Sequence, residues 1–491
     1  MSDDISEDDL RRVTEILEGV VEDRGHLSGI DPDLRQRLLV AAGRVSRPSK
    51  DSLRTYRRAE RKRKKQDQRD RDEAALQQTR IRKARVAAVF ATPSQDAPRE
   101  LAAPDEVELE KARSCYVCKE RFTVMHPFYD SMCVPCGDEN YAKRIQTADL
   151  SGRTALLTGG RVKIGYQAGI KLLRAGARLL VTTRFPHDAA KRYAAEEDAH
   201  LWSDRLVIHG IDLRNTPAVE AFCQRLLHEE ERLDFIVSNA CQTVRRPAGF
   251  YGHLMEAERS PGMLSDAERA LVAPRESTEP VASRALTEQR GADSAELSQV
   301  PLLPEDLDDS VAIFPRGQLD ADLQQVDLRS VNSWRLLAPD VPTIELLEVH
   351  LVNAVAPFIL MARLKELMLR TPEQDKHVVN VSAMEGQFYR TFKTARHPHT
   401  NMAKASLNML TRTVAPDYVR DGIHVNSVDT GWVTDEDPEE HARRKREEQR
   451  FHPPLDIVDG AARIVAPIFD GFLTGEHVWG RFLKDYRPTD W

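Results

Sequence analysis

No apolar run in this sequence reaches the length needed to span a bilayer, and residues 1–9 are acidic where a secretory signal would be basic and then apolar. An intracellular, cytoplasmic protein with no membrane partner is therefore expected. Cysteine is scarce, with six in 491 residues, and four of these fall between 115 and 136 while Cys223 and Cys241 stand alone among apolar neighbours. That distribution argues against a disulfide scaffold. Aromatic residues make up 6% of the chain, and Tyr56 is the only one in the basic run at 54–85. Without interleaved rings for base stacking, sequence-specific reading of nucleic acid has little support. The run could contact phosphates or serve as a localisation signal, but a solvated helix is the simplest reading. The formal net charge of -7 hides an acidic start, this basic run and an acidic insert, so it identifies no partner.

What is present divides the chain. Ser6 and Asp9 cap an apolar repeat at Leu10, Val13, Ile16, Leu17, Val20 and Val21, and Leu34, Leu38, Leu39 and Val40 suggest a second short helix, giving a helical segment over 1–50. A charged helix over 51–91 and a Pro, Ala and Ser-rich linker over 92–108 follow. Within 109–147 the order Cys115-x2-Cys118, fourteen residues, Cys133-x2-Cys136 has the spacing that wraps four thiolates round a tetrahedral zinc ion. Such a closed set predicts a structural zinc that folds a small ribbon and does not catalyse. His126, between the knuckles, would be a ligand only if one thiol were not. The aromatic loop at 122–129 is expected to pack on the neighbouring domain, or else to project and dock a protein partner.

From 151 onward, β-branched apolar runs at 154–158, 178–183, 206–209, 234–238, 377–382 and 423–428 alternate with helical patterns. Runs buried on both faces and separated by helices predict an α/β fold with a doubly wound, Rossmann-like parallel sheet over 148–491, interrupted by an insert at about 245–340. The first run ends in Thr158-Gly159-Gly160-Arg161-Val162-Lys163-Ile164-Gly165, where strand, glycine turn and helix follow in order. Glycines let the backbone approach phosphate oxygens, and the helix start offers unpaired N–H groups. Asp212 and Leu213 follow the third strand and Asn239 and Ala240 end the fourth, all on the side where a dinucleotide lies in such sheets.

These motifs, in this order, resemble the short-chain dehydrogenase/reductase family over about 150–244 and 341–491. Further counterparts are Asn353 in His350-Leu351-Val352-Asn353, Val379-Asn380-Val381-Ser382, Lys404 in Met402-Ala403-Lys404-Ala405-Ser406, and Val425-Asn426-Ser427-Val428. Lys163 stands where the family has its middle glycine and is similar to the basic residue of pteridine reductases. With Arg161 in the turn and Arg184 directly after the second strand, where no acid stands, the resemblance implies NADP(H) over NAD(H), since arginine accommodates a 2′-phosphate. A nucleotide cofactor and a small carbonyl or alcohol substrate are implied, and a homo-oligomer built on the helices at 346–369 and 404–418.

Departures from the family pattern fall on the catalytic positions. The resemblance assigns Lys404 and Asn353 to the proton relay, yet four residues before Lys404 stands Thr400, not the proton-donating tyrosine. An aliphatic alcohol is far weaker an acid than a phenol of pKa about 10. The family's serine position is Ala383, and Ser382 before it should point away by strand alternation. Tyr389 is the expected substitute donor, with Glu385, His397 and His399 in its neighbourhood. Thr434, after a turn in which Thr430 replaces the family's proline, is placed to meet the nicotinamide carboxamide. Two functions follow: an oxidoreductase with a nonstandard proton donor, or a degenerate nucleotide-binding sensor or scaffold acting through its zinc and basic segments. Within the insert, 261–300 is expected to be disordered and 326–337, with Trp334, to pack over the crevice.

Overall fold

The computed structural model describes residues 5–86, 92, 108–274, 294–308, 310–320, 324–389 and 393–491. Nearly all of the expected linker at 92–108, and 275–293 of the insert, lie outside them. Two compact units separate after Ala74.

The first unit holds α1 (Glu7–Glu22), α2 (Pro32–Ser46) and most of α3 (Lys50–Leu76). Ser6 and Asp9 form a reciprocal capping box at the start of α1, and Asp31 accepts from Leu34 N–H at the start of α2. The apolar stripe of α1 is exposed at Leu10, Val13 and Ile16. Glu60 and Lys64 pair one turn apart along α3 at 2.9 Å.

The second unit begins with α4 (Arg80–Val86), β1 (Glu108–Ser114), β2 (Arg121–Val124) and α5 (Val134–Ile145). β1 and β2 form an antiparallel ribbon with an irregular register. The charged run therefore does not stay solvated to its end. Leu76 and Ile81 are buried, Ile81 N–H donates to Phe128 carbonyl at 3.0 Å, and Arg82 pairs with the buried Asp130.

The dinucleotide-type domain follows: β3 (Thr154–Thr158), α6 (Lys163–Arg174), β4 (Arg178–Thr183), α7 (Pro186–Ala194), β5 (Leu206–Gly210), α8 (Thr216–Glu229) and β6 (Phe235–Ser238). After the short insert helices α9 (Gly252–Arg259), α10 (Asp266–Leu271) and α11 (Ser294–Leu297) come α12 (Thr343–His350), α13 (Ala356–Met368), β7 (Lys376–Ser382), α14 (Pro398–Tyr418) and β8 (Ile423–Asp429). The chain ends with α15 (Glu439–Gln449), α16 (Ile457–Thr474), β9 (Phe482–Lys484) and β10 (Arg487–Thr489).

The sheet order is β10-β9-β8-β7-β6-β3-β4-β5, parallel except for β10. All six expected strands are present. Strand alternation explains the two cores: Leu156, Leu180 and Ile236 face one side with α8 and α13, while Leu157, Val181 and Val237 face the other with α6 and α16. Because β3 runs on to β4 one way and lies beside β6 the other, the strand order reverses at the end of β3, and a crevice opens there.

Two expectations need correction. α12, a π turn at Leu351–Val355 and α13 form one helical stretch, Thr343–Met368, that by length and composition could cross a membrane. Glu345, Glu348, His350 and Asn353 disguise it in the sequence. Its apolar residues Leu360, Met361, Leu364 and Leu367 are buried in the core against α8 and the sheet, which accounts for them without a bilayer. Within the insert, 261–274 is ordered: α10 buries Leu271, and Ala273 N–H donates to Ile208 carbonyl at 2.9 Å, extending the β5 edge.

Asp429 closes β8 opposite Ser382 and accepts from Met384 N–H at 3.2 Å. Burial, with Glu385 and Asp485 adding repulsion, raises its carboxyl to about 6. A folded value above the unfolded one of about 4 means the fold loses stability as pH rises between them and stays at the lower level above. Asp429→Asn should stabilise the protein by about 2–3 kcal/mol at pH 7.5, with the gain gone at pH 4. Urea unfolding at both pH values checks this; an equal gain at each would refute it.

Candidate functional site: a dinucleotide crevice and a cysteine cluster

The glycine turn is built by steric need. Gly159 has φ +69°, and a Cβ there would lie 2.8 Å from Ala240 Cα. At Gly165 a Cβ would lie 2.2 Å from the Gly159 carbonyl oxygen and 2.3 Å from Asn239 Nδ2. Asn239 Nδ2 donates to the carbonyls of Thr158 and Gly159, each at 3.1 Å, and Ala240 N–H donates to Thr158 Oγ1 at 3.0 Å. Lys163 begins α6 at φ +54°, a left-handed conformation that explains why a glycine suits this position in the resembled family.

A cavity of about 450 Å³ runs from this turn across the ends of β3, β4 and β6. Its volume suits a small-molecule or cofactor site. Gly159, Arg161, Lys163, Ile164, Gly165, Arg184, Asp212, Leu213, Asn239, Ala240 and Thr434 all line it. The second part of the insert walls it too, through Gln325, Asp327, Arg329 and Asn332.

One end of the cavity gathers Arg161, Arg184 and Arg246. Arg184 donates to the Tyr251 hydroxyl at 2.6 Å and lies over that ring with its carbon 4.7 Å from the centroid. Burial alone would raise the Tyr251 phenol, but Arg184, Arg161 and Arg246 outweigh it and bring the group below its ordinary value. Not all of that charge is free. Arg161 pairs with Asp188 at 2.6 Å, an acid that Arg192 shares, and Arg246 pairs with Asp327. Arg184 forms no ion pair among the described residues. Tyr251 and Arg246 escaped the sequence reading because they sit in the insert, although two arginines followed closely by Phe250 and Tyr251 are a visible signal.

Asp212 does line the crevice, but its carboxylate is taken by Arg214 at 2.7 Å, which also holds Glu348 at 2.6 Å. Thr434 Oγ1 donates to Glu436 at 2.6 Å, and Asn332 Nδ2 donates to the Glu436 carbonyl at 2.9 Å. Burial works against ionisation of Glu436, yet Lys163 and the Thr434 hydroxyl hold its carboxyl below the usual range.

The proposed catalytic residues are not brought together on the cavity. Lys404 is buried and donates to the Val381 carbonyl at 2.7 Å. Thr400 and Ser382 are buried with side-chain oxygens that have no hydrogen-bond partner among the described residues. Asn353 sits in the π turn and accepts from Gln242 N–H at 2.8 Å, fixing the segment after β6. Tyr389 is 97% exposed and does not line the cavity. His397 stacks on Trp334 with centroids 3.9 Å apart, and His399 is buried facing Glu345 at 3.3 Å.

The four sulfurs of Cys115, Cys118, Cys133 and Cys136 lie within 4.8 Å of one another. Cys133 caps the start of α5. His126 is outside this set, since its Nδ1 accepts from the N–H groups of Phe128 and Tyr129 at 3.1 Å each. The aromatic loop packs inward: Phe122, Phe128 and Tyr129 are buried with Val433, Leu455, Ile457 and Val458. Tyr116 Oη accepts from Trp432 N–H at 3.0 Å, so the module touches the loop that carries Thr434.

Residues 153–253 match the short chain dehydrogenase family, and 337–455 match the enoyl-(acyl carrier protein) reductase family. An uncharacterised protein of Acanthamoeba polyphaga mimivirus is 31% identical over 373 residues, 73% of this chain and 71% of that one. Human retinol dehydrogenase 14 is 32% identical over 117 residues, 21% of this chain and 35% of its own length. Among solved structures, the Pseudomonas aeruginosa RhlG/NADP complex is 17% identical, with a TM-score of 0.40 over 68% of this chain and 95% of that one. A Burkholderia cenocepacia short chain dehydrogenase in complex with NADP is 16% identical, with a TM-score of 0.41 over 68% and 96%. The ordered motifs, the parallel sheet reversing beside the glycine turn, and these sequence matches show that the chain belongs to the short-chain dehydrogenase/reductase family.

Proposed function

We propose that the crevice binds NADP(H) in preference to NAD(H), and that the chain is an oxidoreductase for a carbonyl or alcohol substrate with a proton donor other than the family's tyrosine. The observation that carries the cofactor reading is Arg184, unpaired with any carboxylate among the described residues and set beside a phenol that three guanidiniums pull toward ionisation. Such a locus favours an additional phosphate. Gly159 and Gly165 let the turn pack closely on Ala240 and Asn239, which sets the start of α6 against the cavity where a pyrophosphate would meet its N–H groups. NADPH, when bound, supplies hydride; Asn353 fixes the adjoining segment, and Arg184 and Lys163 place positive charge along the nucleotide.

A second reading is a nucleotide-binding sensor or scaffold. Lys404 bonded to a backbone carbonyl, Thr400 and Ala383 in place of the hydroxyl pair, and the outward Tyr389 all favour it. In either case we assign the four cysteines to a structural zinc, since four thiolates leave no open position. Val355, Phe358, Met402 and Met409 are exposed on the long helices, which supports self-association through that face.

Calorimetry with NADPH and NADH is the test. Arg184→Ala should weaken NADPH about 10- to 100-fold, the worth of a charge-assisted contact, and leave NADH unchanged. Equal weakening of both would remove the 2′-phosphate assignment. Turnover is then sought with ketones, quinones and pterins, following loss of reduced-nicotinamide absorbance. NADPH oxidation supports the oxidoreductase, and tight binding with no oxidation supports the sensor.

A further inference from the structure

The opposite end of the sheet carries a cluster that the dinucleotide crevice does not use. His377 and His424 are neighbours across the β7–β8 ladder, and His477, in the turn after α16, closes over both. The ring centroids are 5.2, 5.1 and 4.9 Å apart, and each ring offers one nitrogen to a set lying within 4.8 Å. Sequence spacing gives no hint of this trio, since the sheet alone assembles it.

We propose that His377, His424 and His477 form a second metal site, a three-nitrogen site for zinc or a like divalent transition ion. Imidazole is the common nitrogen ligand for such ions, and tetrahedral coordination at about 2.0–2.1 Å would place the nitrogens about 3.3 Å apart, so the His377–His477 pair would open slightly and the third ring would close in. His377 Nε2 and His477 Nδ1 share a hydrogen bond at 2.9 Å, so metal binding would release the proton between them. His424 Nδ1 donates to the Lys376 carbonyl at 3.1 Å, which fixes the ring and leaves Nε2 to ligate. The buried Nδ1 of His377 has no hydrogen-bond partner among the described residues, so protein contacts do not fully satisfy the cluster.

The pocket for the third ring is specifically made. A Cβ on Gly471 would lie 2.3 Å from His477 Nδ1 and 3.2 Å from His377 Nε2, so only glycine lets His477 approach. His377 is fully buried while His477 is partly exposed, which gives an entry path from solvent. Asp375 acts on both His424 and His477, although it is itself paired with Arg153. His377 lies five residues from Ser382, about 16 Å down β7, so the metal would clamp the starts of β7 and β8 to the end of α16 and take no part in hydride transfer.

The test uses the full chain with its cysteine-bound metal in place, titrated with Co²⁺. One additional equivalent with a visible d–d band and no new thiolate charge-transfer band is expected. His477→Gln, on the partly exposed turn, and separately His424→Gln should each weaken that equivalent at least tenfold, while the cysteine-bound metal stays. Circular dichroism verifies that the variants are folded. No additional equivalent in the wild type, or unaltered binding in folded His477→Gln, would overturn the site.

Discussion

Cys115→Ser is expected to release the metal from the cysteine cluster, lower the unfolding temperature by roughly 10 °C, and weaken NADPH several-fold. The size follows from how little else folds the module. Two short strands and one helix cannot close a core alone, and structural zinc in isolated knuckles contributes about 10–16 kcal/mol. Packing of the module on the larger domain retains part of its order, so a loss of about 5 kcal/mol is the reasonable share, and in a domain of this size each kcal/mol moves the midpoint by about 2 °C. The effect on nucleotide binding follows from contact. Tyr116 holds Trp432, and Val433 belongs to the module's core while Thr434 and Glu436 line the crevice. Cys241→Ser, at an exposed thiol outside the cluster, should leave the midpoint unchanged. Freshly prepared wild type without metal, and a Cys115→Ser midpoint equal to its own, would sink the assignment.

The fold was legible in the sequence where one local rule decides it. Six apolar strand runs and the octamer from Thr158 to Gly165 each carry their own signal, because burial on both faces forces continuous β-branched residues and a phosphate turn forces glycine. The cysteine spacing is equally local. Features that depend on partners far along the chain were not legible. Arg161 looks like an open cation until Asp188 is seen against it, and Tyr251 meets Arg184 at the cavity only when the insert folds back. Tyr389 shows the converse: position along the chain suggests nearness to Lys404, but its high exposure is a tertiary property that no local pattern carries. The histidine trio spans β7, β8 and the turn after α16, which no spacing rule connects.

The bond between module and domain gives the other large effect. Arg144 on α5 is buried and donates to Asp456 at 2.7 Å and to Asp459 at 2.9 Å, while Tyr129 donates to Asp459 at 2.7 Å. Its guanidinium also lies over Phe128, 4.6 Å from the ring centroid. Arg144→Met keeps much of the apolar stem but leaves two carboxylates buried at the start of α16 with a lost cation, and should cost about 3–5 kcal/mol in urea unfolding. Exposure is what sets that figure. Arg363 and Glu220 make a comparable contact at 2.9 Å with side chains 49% and 39% exposed, so Arg363→Ala should cost under about 1 kcal/mol. If the two variants lost equal stability, desolvation would not be the governing term and the module would rest on the domain through apolar packing alone. Restoring a neutral balance separates the cases further. Arg144→Met combined with Asp459→Asn should recover part of the loss, because a removed buried charge no longer needs its partner.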